Sequence, residues 1–89
     1  MVKIWSDVAW NDYLYWQETD KKMLDKVNKL LKSIERDGAN RGEGKPEPLK
    51  GNLSGWWSRR VSERDRIVYR ITENGELEIS QCKTHYGDK

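Results

Sequence analysis

Phenylalanine is absent from this 89-residue chain, and cysteine and histidine occur once each, as Cys82 and His85. Only two prolines are present, Pro46 and Pro48, and they flank a single glutamate. No apolar run approaches the roughly 20 residues that a membrane-spanning helix needs, so no membrane association is expected. The N-terminus MVKIWSDVAW lacks a basic segment followed by an apolar one, which argues against a secretory signal. A single cysteine cannot close an internal disulfide, and the composition suits a reducing cytoplasm. Cys82 is read as a small buried strand residue in preference to a catalytic thiol. No metal-ligand spacing is evident, and no metal or cofactor is expected.

Five tryptophans and four tyrosines supply the bulk that phenylalanine does not. The length predicts one domain over residues 1–89, with a limited core that needs good packing or a partner. Net charge is only +2, but it is unevenly placed. Residues 1–40 carry seven basic and seven acidic side chains, residues 41–70 eight and four, and residues 71–89 two and four. The middle third is therefore the candidate anion-binding region, although a solvated basic face has the same composition.

VKIW reads as a short N-terminal strand. Ser6 is a helix cap, and Trp10, Tyr13, Leu14 and Trp16 then form an apolar face at helical spacing, expected in the core. Met23, Leu24, Val27, Leu30, Leu31 and Ile34 mark a second amphipathic helix, capped by Thr19 or Asp20 and ended by Gly38. Only a few residues around Glu18–Asp20 join the two, so they form an antiparallel hairpin. Alternating apolar positions in WWSRRVS, RDRIVYRIT and ELEISQCK predict strands, with Asn74-Gly75 favouring a type I′ hairpin between the last two. The fold class is α+β: a twisted antiparallel sheet with an N-terminal strand and two helices packed on one face.

The long Gly-, Asn- and Pro-containing segment from Asp37 to Gly55 holds GKPEPLKG, residues 44–51. Proline fixes its own φ and pushes the residue before it toward an extended form, so Lys45 through Pro48 are all restricted. By itself this stretch fits a charged linker as well as it fits a positioned carboxylate. The alternation places Arg60 and Arg66 on the sheet face away from the helices, on adjacent strands, and the last strand runs into Lys83, His85 and Tyr86. A carboxylate, two guanidinium groups, an imidazole and a phenol suit RNA cleavage through the substrate's own 2′-OH. That reaction needs a base, an acid and cations around a charged transition state. A carboxylate near its ordinary pKa of about 4.3 is a weak base, and histidine near about 6.5 is a serviceable acid. Strict alternation from Leu77 turns His85 inward, so a bulge or the end of the strand is needed to bring it to the free face.

These residues also carry a resemblance. KIWS, WNDYLYWQETDKK, GKPEPLKGNLSGWWSRRV, RIVYRIT and the closing HY resemble the YoeB (Txe) toxins of the RelE superfamily, over nearly the whole chain. The resemblance implies a RelE-like fold and a cytoplasmic ribosome-dependent endoribonuclease that cuts mRNA in the ribosomal A site. It also implies a YefM-like antitoxin partner and a homodimer. By position it implies Glu47 as general base, His85 as general acid, Arg66 as the phosphate-stabilising arginine and Tyr86 as the aromatic beside the histidine. Lys45, Lys50, Arg59 and Arg60 are expected to bind RNA. Three features depart from the family pattern: RDGANRGEG at the entry to the loop, Asp65 where a histidine often stands, and the tail Gly87-Asp88-Lys89. A non-catalytic module that binds RNA or an antitoxin, and a nuclease acting on free RNA, are the alternative readings.

Overall fold

The computed structural model describes residues 1–84. After strand β1 (Lys3–Trp5), the Ser6 hydroxyl accepts the Ala9 N–H at 3.0 Å and starts helix α1 (Asp7–Thr19). Asp20 ends α1 and caps α2 (Lys21–Asp37) by accepting the Met23 N–H at 3.2 Å, so one residue makes the whole connection. Gly38, at φ 93°, stops α2 as expected. The apolar stripe of α2 buries Val27, Leu30, Leu31 and Ile34 against Ala9 and Trp16 of α1 and the inner face of the sheet.

The sheet has five strands in the order β1-β5-β4-β3-β2, with β2 at Glu47–Pro48, β3 at Trp57–Arg60, β4 at Arg66–Ile71 and β5 at Leu77–Gln81. It is mixed rather than wholly antiparallel. The β1 strand runs parallel to β5, with Lys3 opposite Leu77 and Trp5 opposite Ile79. Parallel neighbours need a long crossover, which the rest of the chain supplies here. Ile67, Tyr69, Leu77 and Ile79 fill the helix-facing side.

Three local expectations are corrected. Trp10 is 46% exposed; its ring stacks on Tyr13 at 6.0 Å and meets Trp5 edge-on at 5.8 Å. Thus only part of the α1 aromatic stripe is core. The Thr72–Glu76 hairpin turn has Gly75 at φ 80° but no positive φ at Asn74, with Gly75 N–H bonded to Thr72 C=O and Thr72 N–H to Glu76 C=O. It is a three-residue loop closed by a left-handed glycine and not a type I′ turn. Lys45, expected to be extended before Pro46, has φ 56°. The preceding Gly44 lies so close to the core that a Cβ there would come within 2.8 Å of Leu30 Cδ2, and its carbonyl accepts the Arg60 N–H at 2.7 Å. The chain must turn sharply from that contact into β2, and Lys45 takes the left-handed conformation to do so.

Cys82 is fully buried, and its thiol faces the Ala9 carbonyl at 3.8 Å. Burial pushes the thiol up to about 12, helped by the negative charges of Asp12 and Asp65. It is therefore expected to react with a disulfide reagent at pH 8 only once the protein unfolds. Above the ordinary thiol value of 9.0 the unfolded chain loses this proton and the native one keeps it. Native stability then falls by about 1.4 kcal/mol per pH unit from this group. Unfolding free energies from urea titrations up to pH 11 for wild type and Cys82→Ala should differ in slope by that amount.

Candidate active site

Pairing in the sheet defines what shares its helix-free face. Glu47 lies opposite Ser58, Ser58 opposite Val68, and Val68 opposite Gln81, one row across four strands. One row along, Arg60 lies opposite Arg66. With strands about 4.8 Å apart and a rise of about 3.4 Å per residue, the Glu47 and Arg66 backbones are about 12 Å apart. A glutamate and an arginine side chain are together long enough to span that gap.

Glu47 sits on the outermost strand, where proline is tolerated because no further strand needs its missing N–H. The pairing is bracketed by two backbone bonds, Arg60 N–H to Gly44 C=O and Leu49 N–H to Trp56 C=O. The segment is thus built into the sheet and is not a linker. Glu47 is exposed and forms no ion pair with Lys45, Lys50 or any other described residue.

The four arginines of β3 and β4 differ in what occupies their donors. Arg70 is neutralised by Glu78 directly opposite and lies over the Trp56 ring at 4.6 Å. Arg60 is exposed and has no ion pair among the described residues. Arg66 is pinned through Nη1 alone, which donates to the carbonyls of Ser62, Glu63 and Asp65 at 3.0, 3.0 and 3.2 Å. Its Nε and Nη2 edge has no described partner, and that edge is the fork that grips phosphate bidentately. Like charges directly opposite on a sheet are unfavourable, so the Arg60–Arg66 pair favours an anion between them.

Arg59 is a correction to the expected RNA-binding set. It shares the parity of Val61, points inward and is fully buried. All five of its N–H donors are used: Nε to Tyr69 Oη at 2.8 Å, Nη1 to Ser33 Oγ at 2.8 Å and Glu43 C=O at 3.0 Å, and Nη2 to Gly38 C=O at 2.8 Å and to Arg41 C=O. Tyr69 Oη in turn donates to Ala39 C=O at 2.5 Å. Arg59 therefore folds residues 38–43 into a fixed loop ahead of GKPEPLKG. No guanidinium donor is left for a ligand.

At the end of the last strand, the β4–β5 register shifts at Val68 and Tyr69: Val68 pairs with Gln81 but Tyr69 with Ile79. Ile79 and Cys82, three apart, are both in the core. The two-residue period that turned His85 inward is broken here, and the strand ends at Gln81. His85 and Tyr86 themselves lie outside the described residues. Lys45 and Lys50 are exposed at the two ends of the Glu47 segment. No group of three or more His, Cys, Asp or Glu side chains arranged to hold a metal ion occurs among the described residues.

Residues 5–86 match the model of the YoeB-like toxin of the bacterial type II toxin–antitoxin system. The chain belongs to the YoeB toxin family. Toxin YoeB of Escherichia coli K12 is 54% identical over 86 residues, covering 97% of this chain and 100% of that protein. Among solved structures, a YoeB from Staphylococcus aureus in a heterotetrameric YoeB–YefM complex aligns with TM-score 0.90 at 49% identity, over 97% of this chain and 98% of that one. A YoeB dimer from the same organism aligns with TM-score 0.88 at 48% identity, over the same shares. The two helices and five-stranded sheet of this YoeB-family chain match those architectures.

Proposed function

We propose that this YoeB-family toxin is a ribosome-dependent endoribonuclease that cuts mRNA in the ribosomal A site and so inhibits translation. The observation that carries the reading is the helix-free face, where one carboxylate, Glu47, and two guanidinium groups, Arg60 and Arg66, share a surface and form no ion pair among the described residues. In the proposed reaction Glu47 takes the proton of the 2′-OH. The 2′-oxygen attacks the adjacent phosphorus, and the bond from phosphorus to the 5′-oxygen breaks. His85 gives a proton to that leaving oxygen, and a 2′,3′-cyclic phosphate remains. The Nε and Nη2 edge of Arg66, with Arg60 beside it, stabilises the charged phosphorane-like transition state. Tyr86 stacks on a base or bonds a phosphate, and Lys45 and Lys50 contact the backbone. The balance of the reaction requires no metal.

The YoeB–YefM complex and the YoeB dimer described for Staphylococcus aureus support a YefM-like antitoxin and a homodimer for this chain as well. No described helix is long and apolar enough to cross a membrane, which accords with a toxin acting on cytoplasmic ribosomes. Primer extension on mRNA held in programmed ribosomes tests the function, with naked mRNA alongside. A cut at the A-site codon only on ribosomes is expected. Equal cutting of naked RNA would overturn ribosome dependence. Ribosome binding without any cut would leave a non-catalytic module.

A further inference from the structure

A buried carboxylate outside the proposed reacting set lies where two segments of that set meet. Asp65 is 7% exposed and immediately precedes Arg66. Its Oδ2 accepts the Ser62 hydroxyl at 2.8 Å, and its Oδ1 accepts the Thr84 N–H at 2.9 Å. Its backbone carbonyl accepts the N–H groups of Val61 and Ser62 at 2.9 and 3.2 Å, and the Nη1 of Arg66 at 3.2 Å. One residue thus ties the end of β3, the guanidinium of Arg66 and the chain leaving β5. The residue after Thr84 in the sequence is His85.

The Thr84 bond spans 19 residues and joins two strand ends, so it does nothing for local turn structure. No Lys or Arg lies within ion-pair distance of the Asp65 carboxylate among the described residues. Burying a carboxylate without a cation is costly unless its hydrogen bonds repay it. What this carboxylate gains in return is a fixed Thr84 backbone, held against the same turn that pins Arg66.

We propose that Asp65 is a positioning residue for RNA cleavage, holding the Thr84 backbone at the exit of the last strand against the turn that pins the Arg66 guanidinium. The inference rests on the roles given above to Arg66 and His85. Its mechanism is geometric: an error of about 1 Å in a reacting group costs up to about 100-fold in rate. Asparagine retains a carbonyl oxygen that can accept from Thr84; alanine does not.

The test uses full-length wild type, Asp65→Asn, Asp65→Ala, Thr84→Pro and the Asp65→Ala/Thr84→Pro pair. Single-turnover cleavage is measured on programmed ribosomes, and binding on ribosomes carrying mRNA with a 2′-deoxy nucleotide at the cut site. Asp65→Ala is expected to cleave about 10- to 100-fold more slowly, with binding within about 2-fold of wild type. Asp65→Asn should recover most of the rate. Thr84→Pro removes the N–H from the other end of the same bond and should reproduce the loss, which keeps the test valid if Asp65→Ala does not fold. The pair should lose clearly less than the product of the two single losses, because the Asp65–Thr84 bond is common to both. Wild-type cleavage by Asp65→Ala or Thr84→Pro, multiplicative losses in the pair, or binding lost in step with cleavage would overturn the proposal. A wild-type protein that does not cleave at all would instead overturn the nuclease reading beneath it.

Discussion

Arg59→Ala is expected to destabilise the protein by about 3–5 kcal/mol, a large part of what a domain of this length possesses. Two effects oppose each other at this site. Removing a buried guanidinium relieves a desolvation cost, since no carboxylate is bonded to it. Against that, alanine orphans the carbonyls of Gly38, Arg41 and Glu43, takes one of several partners from Ser33 Oγ and Tyr69 Oη, and leaves a large void. Buried acceptors without partners cost about 1–3 kcal/mol each, though some regain water as the loop opens. The orphaned groups therefore win. Lysine does not rescue the site, because one compact ammonium with three donors cannot span acceptors arranged around a planar fork. Urea unfolding checks this. An Arg59→Ala protein of near wild-type stability that had lost RNA binding would return Arg59 to the RNA-contacting set.

Glu47→Gln and His85→Gln are each expected to lower single-turnover cleavage by about 100-fold or more, the range of general acid–base catalysis. The stability consequence at position 47 is the reverse of that at Arg59. Glu47 is exposed and has no ion pair among the described residues, so glutamine there changes stability by about 0.5 kcal/mol at most. The thermal midpoint of Glu47→Gln should thus match wild type while its activity collapses. Wild-type cleavage in either variant would refute the role assigned to that residue. Arg59 and Glu47 represent two ways of losing function on the same segment. The first dissolves the loop that leads to GKPEPLKG; the second leaves it intact and removes the proton acceptor.

The parts of this fold that were legible in sequence are those governed by short-range physics. The α2 stripe follows the helical period, and Ser6, Asp20 and Gly38 do at the helix ends what their backbone chemistry favours. Two-residue alternation correctly separates Val61 from Arg60 and sets Arg60 beside Arg66. The same alternation assigns Arg59 to the inner side with Val61, so its structural role was readable from parity; a count of basic residues obscured it. The parallel pairing of β1 with β5 was not legible, because it depends on where the chain returns after two helices and three strands. The left-handed Lys45 is imposed by the close approach of Gly44 to Leu30, a tertiary contact that overrides the local influence of Pro46. The register shift opposite Val68 and Tyr69 has no turn residue to announce it, yet it decides the phase of everything after Ile79. The tie from Asp65 to Thr84 joins residues whose proximity only the finished sheet creates.

The paired prolines around Glu47 gain a physical sense from the edge position of β2. Neither can donate an outward N–H, so the strand is poorly suited to recruiting another. Both restrict the backbone on either side of the glutamate. The segment is held in register with Ser58 and presents its carboxylate on the same face as the free edge of Arg66.

The central claim is that this face uses the 2′-OH of the RNA as nucleophile, and one measurement addresses it directly. Programmed ribosomes are prepared with mRNA carrying a single 2′-deoxy substitution at the nucleotide 5′ to the scissile phosphate, and single-turnover cleavage is compared with all-ribose mRNA. The account predicts a cut in the ribose message, ending in a 2′,3′-cyclic phosphate and a 5′-hydroxyl, and none at that position in the substituted one. Equal cutting of both messages would contradict it.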